Sequence, residues 1–341
     1  MTEIERTNEF LEQLIDAEEM IYKGAKGLND GIPIGEAKRQ ISGLEKNIKI
    51  TKIEPIEYLN NPYLKNIEIK DWIVGNIYLS YANVFEEYKT YTNNSRKRDP
   101  KSLTTIYDLS YFPKDIILPA LGTVFPYTKW MGVEPGEINT FSSFIEEASG
   151  KVLLMGCGLG YVAYMLSLKD NVDEVTVIEL DSDVKAMFDI YLKPQMNNKI
   201  NVVLGDAIKF LEEEDISSYQ YCSVDIWHGI TEMFPFYLKC LILEEKHPNT
   251  KFHYWLEDDL HVTIEKGWIK LIKRLINNKL TEGKPEIFAD IAKMQNIETI
   301  EDVKRFMMEP KKPMIKEWAL NNQEIACNPE YSVKSLYRHM K

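Results

Sequence analysis

The segment KVLLMGCGLGYVAYML, which runs from Lys151 to Leu166, constrains the fold of this chain more than any other. A short apolar run leads into glycines at 156, 158 and 160, and an apolar stretch with helical spacing follows. A strand that passes through a glycine turn into a helix is typical of nucleotide-binding α/β folds, in which the ligand lies against the backbone of the turn. The segment therefore predicts a buried strand with a ligand site at its carboxyl end.

Four more apolar runs follow, at 174–179, 201–204, 221–224 and 252–256, and stretches with helical character separate them. Alternating strands and helices imply right-handed crossovers and a parallel sheet. We therefore expect the fold class to be α/β, with a Rossmann-like, mostly parallel sheet flanked by helices.

The regions on either side of this alternation predict additions that are mainly helical. We expect a helical N-terminal region over 1–100, in which 71–90 forms one helix, and a helical C-terminal region over 261–341. The α/β domain then occupies 101–260, and it includes a leading bridge rich in proline, glycine and aromatic residues. The polar segment 93–102 marks the first boundary, and we expect its basic residues Ser95–Arg98 to lie in a solvated loop.

Composition narrows the possible partners and the cellular location. The 341 residues carry a formal net charge of −12, which argues against nucleic acid as a partner and favours a small-molecule substrate. No apolar run approaches the 18 or so residues of a membrane span, and the acidic N-terminus does not resemble a signal peptide. Four cysteines without a CxxC pair predict free thiols, so we expect a cytoplasmic protein. The N-terminal helices could form a lid or the surface of a homodimer.

Acidic residues follow three of the predicted strands, where a ligand held by the glycine loop would meet them. Glu179 lies 21 positions after Gly158, a spacing at which a carboxylate accepts the hydroxyls of a ribose, and Asp181 is the alternative for this role. Asp206 could accept a hydrogen bond from an adenine amine, and it could also cap a helix. Asp225 follows the fourth strand and would face the reacting part of the ligand, where it could orient a nucleophile or accept its proton.

Other side chains near these strand ends allow both functional and structural interpretations. His228 could act as a base, or it could be a loop histidine without a chemical role. Trp227 and Trp130 could line a pocket or fill the core. The acidic run from Glu257 to Asp259 could bind a divalent metal together with Asp225, but we interpret it as a solvated loop and expect no metal site.

The order of these motifs over 134–257, about a third of the chain, resembles that of class I S-adenosylmethionine-dependent methyltransferases. The matching parts are GCGLG (156–160), Glu179, GDA (205–207) and Asp225. The resemblance implies S-adenosylmethionine as cofactor and direct methyl transfer to an oxygen or nitrogen of a small molecule, with Asp225 and His228 as candidate catalytic residues. The cofactor ligands that we expect are Gly156, Cys157, Gly158, Gly160, Glu179, Leu180, Asp206, Ala207 and Asp225. The substrate ligands that we expect are Tyr127, Trp130, Glu137 and Trp227.

A second resemblance, to spermidine synthase-like aminopropyltransferases, rests on Leu154, on VTVIELDSDV and on Glu137 before the first strand. The chain departs from that family's pattern at Pro135-Gly136 and at Asp225-Ile226-Trp227-His228-Gly229, where a second Asp is missing. A nicotinamide dehydrogenase is disfavoured because Tyr161 replaces the last glycine of GxGxxG. A binding protein that kept the nucleotide fold without chemistry is a further alternative, since Leu154 replaces the acid that many methyltransferases carry.

Overall fold

The N-terminal region begins with helices but continues into strands. The computed structural model of the chain describes residues 1–29, 32–85, 91–277 and 287–328. Its first elements are helices α1 (Glu3–Asn29) and α2 (Ile34–Gln40), strand β1 (Ile48–Lys52), and the short helices α3 (Pro55–Tyr58) and α4 (Pro62–Asn66). The next elements are strands β2 (Trp72–Val74), β3 (Ile77–Phe85), β4 (Tyr91–Arg98), β5 (Thr105–Tyr111), β6 (Ile116–Thr123) and β7 (Thr128–Gly132).

The prediction of a helix over 71–90 is wrong for 71–85, and 86–90 lie outside the described residues. The strands β2 and β3 pair antiparallel around a tight turn at Gly75 and Asn76, where Gly75 has a φ of +55°. Aromatic and β-branched residues on both sides of such a turn favour a hairpin, although their spacing also fits a helical period. Strands β2, β3, β6 and β7 form an antiparallel sheet in the order β2-β3-β6-β7, so the interpretation of 1–100 as mainly helical needs this correction.

The basic segment Ser95–Arg98 is part of strand β4 and not a solvated loop. β4 pairs antiparallel with β5, which in turn pairs parallel with β1. The side chains of Arg96 and Arg98 form ion pairs with Asp259 and Glu265, in the C-terminal part of the chain. A basic segment whose charges are matched by buried acids is a packing element, which its local sequence does not reveal.

The following residues form a parallel sheet between two layers of helices, and the predicted fold class is confirmed. The elements are α5 (Pro135–Glu147), β8 (Gly150–Met155), α6 (Tyr161–Ser167), β9 (Val172–Glu179), α7 (Ser182–Met187), β10 (Ile200–Leu204), α8 (Ala207–Glu213), β11 (Tyr221–Val224), α9 (Ile230–Glu244) and β12 (Lys251–Tyr254). The strand order is β10-β9-β8-β11-β12, and every pair is parallel. The order reverses at β8, so a crevice opens at the carboxyl ends of β8 and β11.

The described residues after the sheet are helical. They form α10 (Glu257–Ile276), α11 (Ile287–Met294), α12 (Ile300–Met308), α13 (Lys311–Asn321) and α14 (Gln323–Ala326). The acidic run Glu257–Asp259 begins α10 and is not a solvated loop, because Asp259 is buried and paired with Arg96. Within the described ranges, no helix is both long and apolar enough to cross a membrane.

One large apolar core joins the sheet to both additions. It contains Leu11 and Leu14 of α1, Val224 of β11, and Trp268 of α10. A second core on the other face of the sheet includes Tyr63 and Val177, and it reaches into the antiparallel sheet through Leu79. The helical and antiparallel parts are therefore packed onto the α/β sheet and hold the elements around its carboxyl edge.

Candidate functional site

A cavity of about 620 Å³ lies at the carboxyl ends of strands β8, β9 and β11. This volume is within the usual range for small-molecule sites, and its position is where open α/β sheets bind their ligands. Most of the predicted site residues lie in its wall: Trp130, Glu137, Gly156, Cys157, Gly158, Glu179, Leu180, Asp206, Ala207, Asp225, Trp227 and His228.

The glycine loop has a backbone that side chains would obstruct. Gly156 has a φ of +99°, and a Cβ there would collide with the backbone oxygen of Asp225. Gly158 has a φ of +50°, and its Cβ would collide with the sulfur of Met131. Gly160, which is not part of the cavity wall, begins α6 in a left-handed conformation with a φ of +70°. The predicted need for glycine therefore has a specific cause at each position.

Glu179 ends strand β9 and links the glycine loop to the following turn. Its Oε2 accepts a hydrogen bond from the Cys157 amide at 2.9 Å, and its Oε1 accepts one from the Asp181 amide at 2.7 Å. Burial raises the pKa of this carboxyl. The backbone hydrogen bonds that the carboxylate accepts act in the opposite direction and lower the pKa. Each carboxylate oxygen has a second acceptor site, so Glu179 can still accept bonds from a ligand in the cavity.

Asp206 and Asp181 are helix caps as well as cavity residues. Oδ1 of Asp206 accepts hydrogen bonds from the amides of Ile208 and Lys209 at the start of α8. Asp181 caps α7 in the same way, through its Oδ1. A cap fixes the orientation of the carboxylate, so each of these side chains is held in one position at the cavity wall.

Asp225 and Glu137 are two carboxylates that influence each other electrostatically. Burial, followed by the charge of Glu179, raises the pKa of Asp225 to about 8. Burial, followed by the charge of Asp225, raises the pKa of Glu137 well above its ordinary value. Asp225 follows β11 directly, and Glu137 lies in the first turn of α5. The strand end and the helix start therefore bring two acids into one cavity, although 87 residues separate them in the sequence.

The remaining predicted residues differ in how they meet the cavity. His228 is exposed, and its Nδ1 lies 2.9 Å from Oε2 of Glu232. Trp227 is buried and donates its indole hydrogen bond to the Trp255 carbonyl, so it is held rigidly. The ring of Trp130 lies edge-on to His228. Tyr127 stacks on Tyr78 at the surface and is not part of the cavity wall.

Several side chains that complete the cavity wall were not predicted from the sequence. Ser223 lies on β11 and Trp255 directly follows the adjacent strand β12, Phe141 lies on α5, and Phe236 and Lys239 lie on α9. Trp255 follows the fifth strand and Phe141 lies four positions after Glu137, so strand-end position and helical spacing could have indicated them. The α9 residues gave no comparable signal, because only the packing of that helix directs them to the cavity.

The cavity wall contains most of the residues that we expect to contact an adenosyl ligand. The tight glycine loop leaves backbone exposed to a ligand, and the acids after β9 and β10 stand at successive strand ends, as expected for ribose and adenine contacts. In the described part of the chain, no group of acidic, histidine or cysteine side chains is arranged to hold a metal ion.

Comparison with known proteins finds similarity only among solved structures. No family model matches the sequence, and no curated protein matches it. The Trypanosoma brucei PRMT1 enzyme–prozyme complex with AdoHcy matches with 16% identity and a TM-score of 0.27, over 34% of this chain and 37% of its own. A spermidine synthase from Thermotoga maritima matches with 14% identity and a TM-score of 0.32, over 45% of this chain and 59% of its own.

A dimethyladenosine transferase from Plasmodium falciparum is also similar, with 22% identity and a TM-score of 0.23, over 36% of this chain and 42% of its own. This chain therefore spans less than two thirds of the length of each of these structures.

Proposed function

We propose that this chain is an S-adenosylmethionine-dependent methyltransferase that acts on an oxygen or nitrogen of a small molecule. The observation that carries the proposal is the single cavity that joins the glycine loop with Glu179, Asp206 and Asp225. These acids end three different strands, and each has a position relative to the loop that suits one part of an adenosyl ligand.

The charge of the cavity wall supports this choice of ligand. Five acids line the cavity: Glu137, Glu179, Asp181, Asp206 and Asp225. Among the described residues of the wall, the basic side chains are Lys239 and His228, and each has an acidic partner, Glu212 and Glu232. An acidic cavity attracts a cationic sulfonium and repels the pyrophosphate of a nicotinamide dinucleotide.

The residues of the chain would bind, orient and shield the reactants. S-adenosylmethionine, when bound, supplies a methyl group that its sulfonium has already activated. The protein then has to align the acceptor and exclude water, which the aromatic wall can do. Asp225 can accept the acceptor's proton at one of its carboxylate oxygens, and a pKa of about 8 is well matched to proton transfer near neutral pH.

Calorimetry on the purified chain tests the ligand. We expect S-adenosylmethionine and S-adenosylhomocysteine to bind, and NAD not to bind, because the latter brings negative charge to an acidic wall. Binding of NAD without binding of either adenosyl compound would contradict the proposal.

Aminopropyl transfer is a second candidate function. The observation that favours it is the position of Glu137 beside Asp225 in a cavity wall that contains no arginine among its described residues. Such a wall has no guanidinium group that could bind the carboxylate of S-adenosylmethionine. It therefore suits the decarboxylated form of this compound. The product distinguishes the two reactions, because methyl transfer releases S-adenosylhomocysteine and aminopropyl transfer releases methylthioadenosine.

A further inference from the structure

Glu137 and Asp225 are two acids in the cavity that no protein cation neutralises. No described residue donates a hydrogen bond to either carboxylate, and both are partly buried in the cavity wall, where desolvation raises their pKa values. Buried carboxylates in proteins are normally paired or hydrogen-bonded, since an unpaired buried charge is costly. The two carboxylates therefore lack the hydrogen-bond donor or positive charge that we would expect the protein to provide in a site for neutral ligands.

Two lysines around this cavity are engaged by other acids: Lys129 acts electrostatically on Glu137, and Lys239 lies in the cavity wall. Lys129 pairs with Glu134, which precedes Glu137 by one helical turn. Lys239 pairs with Glu212, at 2.8 Å. Either lysine would have to break its present ion pair in order to neutralise Glu137 or Asp225. Neither of them therefore supplies a free positive charge to these two carboxylates.

The wall around the two carboxylates is aromatic. Trp130, Phe141, Trp227 and Trp255 line the same cavity. The rings of Phe141 and Trp255 lie parallel to each other. The indole nitrogen of Trp255 donates a hydrogen bond to the hydroxyl of Thr140, which fixes the orientation of the indole ring. Aromatic faces attract cations as well as apolar groups, and the attraction grows when water is excluded.

We infer that the acceptor of this site is a protonated amine with an apolar body, bound through Glu137 and Asp225. The inference rests on the proposed function and narrows its oxygen or nitrogen nucleophile to nitrogen. The ammonium group supplies the positive charge that the two carboxylates lack, and the aromatic walls hold the rest of the molecule. An alcohol of the same shape would leave both carboxylates without a counter-charge.

The same carboxylates provide the proton acceptor that an ammonium nucleophile requires. A protonated nitrogen has no free electron pair, so one N–H bond must break before the nitrogen can react. The proton passes to a carboxylate oxygen of Asp225, where an O–H bond forms, and the electron pair stays on nitrogen. The raised pKa of Asp225 brings its proton affinity closer to that of an amine.

Binding of matched amines and alcohols to the S-adenosylhomocysteine-loaded protein tests the inference. The probes are 2-phenylethylamine against 2-phenylethanol and butylamine against butanol, measured by calorimetry at pH 8. We expect at least one amine to bind at least tenfold more tightly than its alcohol. Equal affinities, preference for the alcohols, or no binding of either amine would overturn the inference.

Substitution of one carboxylate tells charge recognition apart from general loss of the site. We expect Glu137→Gln to abolish the preference for amines while S-adenosylhomocysteine binds as before. The matched control is Glu134→Gln, which changes an acid of the same helix start that is not part of the cavity wall. If Glu137→Gln kept the preference, the inference would be wrong. If S-adenosylhomocysteine did not bind the unaltered protein, the proposed function itself would fail.

Discussion

At the scale of single residues, the site combines glycines in left-handed conformations with acids that are at least partly buried. Gly156 and Gly158 have backbone conformations that side chains rarely adopt, and they bring the loop close to Asp225 and Met131. The acids lie where burial opposes their ionisation. The desolvation of the acids reduces the stability of the free protein, and such a cost persists where a ligand needs the arrangement.

Substitution of Gly156 by Ala should damage both folding and ligand binding. The new Cβ would meet the backbone oxygen of Asp225, which cannot move aside as a flexible side chain could. The left-handed conformation alone costs a non-glycine residue about 1–2 kcal/mol, so we expect at least that loss in the free energy of unfolding. Urea denaturation measures it, and calorimetry should show S-adenosylmethionine affinity reduced about tenfold or more, which is about 1.4 kcal/mol.

The control for this substitution is Gly35→Ala, at a helical position where an added Cβ would meet nothing within 4 Å. It should leave the ligand affinity unchanged and should not lower the free energy of unfolding, which helix propensity would raise by at most about 1 kcal/mol. Gly156→Ala with unaltered stability and affinity would show that the loop does not have the conformation described.

Substitution of Asp225 by Asn should stabilise the free protein at high pH and reduce its activity. The carboxyl has a folded-state pKa of about 8, raised from 3.8 by burial and by Glu179. The stability that the protonated carboxyl contributes to the folded protein is fully present below about pH 4 and is lost as the pH rises through about 8. The free energy of unfolding should therefore be higher for Asp225→Asn than for the wild type by a few kcal/mol at pH 9, and the two proteins should differ little at pH 4.

An exposed acid gives the comparison for the pH effect. Asp173→Asn, at the start of β9, should follow the wild-type stability curve at both pH values. If Asp225→Asn did the same, or if it kept full turnover, Asp225 would have neither the buried charge nor the role in proton transfer that we assign to it.

At the scale of elements, strand β4 joins the N-terminal and C-terminal parts of the molecule. Arg98 on this strand contacts Glu18 of α1 at 2.8 Å and Glu265 of α10 at 2.9 Å. The three side chains are each less than a tenth exposed. Glu18 also accepts hydrogen bonds from the backbone and hydroxyl of Thr105 on β5. A basic strand thus holds two helices that are far apart in the sequence.

Removal of the Arg98 charge should destabilise the protein strongly. Arg98→Met would leave Glu18 and Glu265 buried with less compensation, and breaking a buried pair in this way costs about 3–5 kcal/mol. The free energy of unfolding in urea measures the loss. Arg6→Met is the control, because the Arg6–Glu3 pair is more than half exposed and should contribute about 0–1 kcal/mol. Similar effects of the two substitutions would contradict the buried network.

At the scale of the whole molecule, α1 shares one apolar core with the α/β sheet. Leu11 of this helix is fully buried in the core that contains Val224 of β11 and Trp227 of the cavity wall. The helical region is therefore part of the folded unit that supports the site. A chain organised in this way should lose its additions and its sheet together when it unfolds.

Substitution of Leu11 by Ala tests this shared core. We expect the free energy of unfolding to fall by about 2–5 kcal/mol, as is typical when a buried Leu becomes Ala. Far-UV circular dichroism and tryptophan fluorescence should report the same midpoint, which is a sign of one cooperative transition. The control Met20→Ala changes an exposed residue of the same helix and should have an effect within about 0.5 kcal/mol. Separate midpoints for the two probes would show that α1 folds independently of the sheet.

Prediction from sequence succeeded where the pattern is local and failed where partners are distant. The strand–glycine–helix segment and the alternation after it predicted the parallel sheet, because each element carries its own periodicity. The strands β2 and β3 were assigned to a helix, since the aromatic residues from Trp72 to Phe85 fit both periods and only the pairing with β6 decides between them. Tyr127 was selected for its place in the aromatic bridge, but it stacks on Tyr78 outside the cavity.

The sequence by itself determined the glycine loop, the strand that leads into it and the acids at the strand ends, because these features depend on neighbours along the chain. The tertiary structure alone decided which acids meet in the cavity and which are neutralised. Asp259 is paired with Arg96 from a distant strand, whereas Glu137 and Asp225 share a cavity with no cation of their own. Charge compensation depends on distance in space, and the fold sets that distance for residues that the sequence keeps far apart.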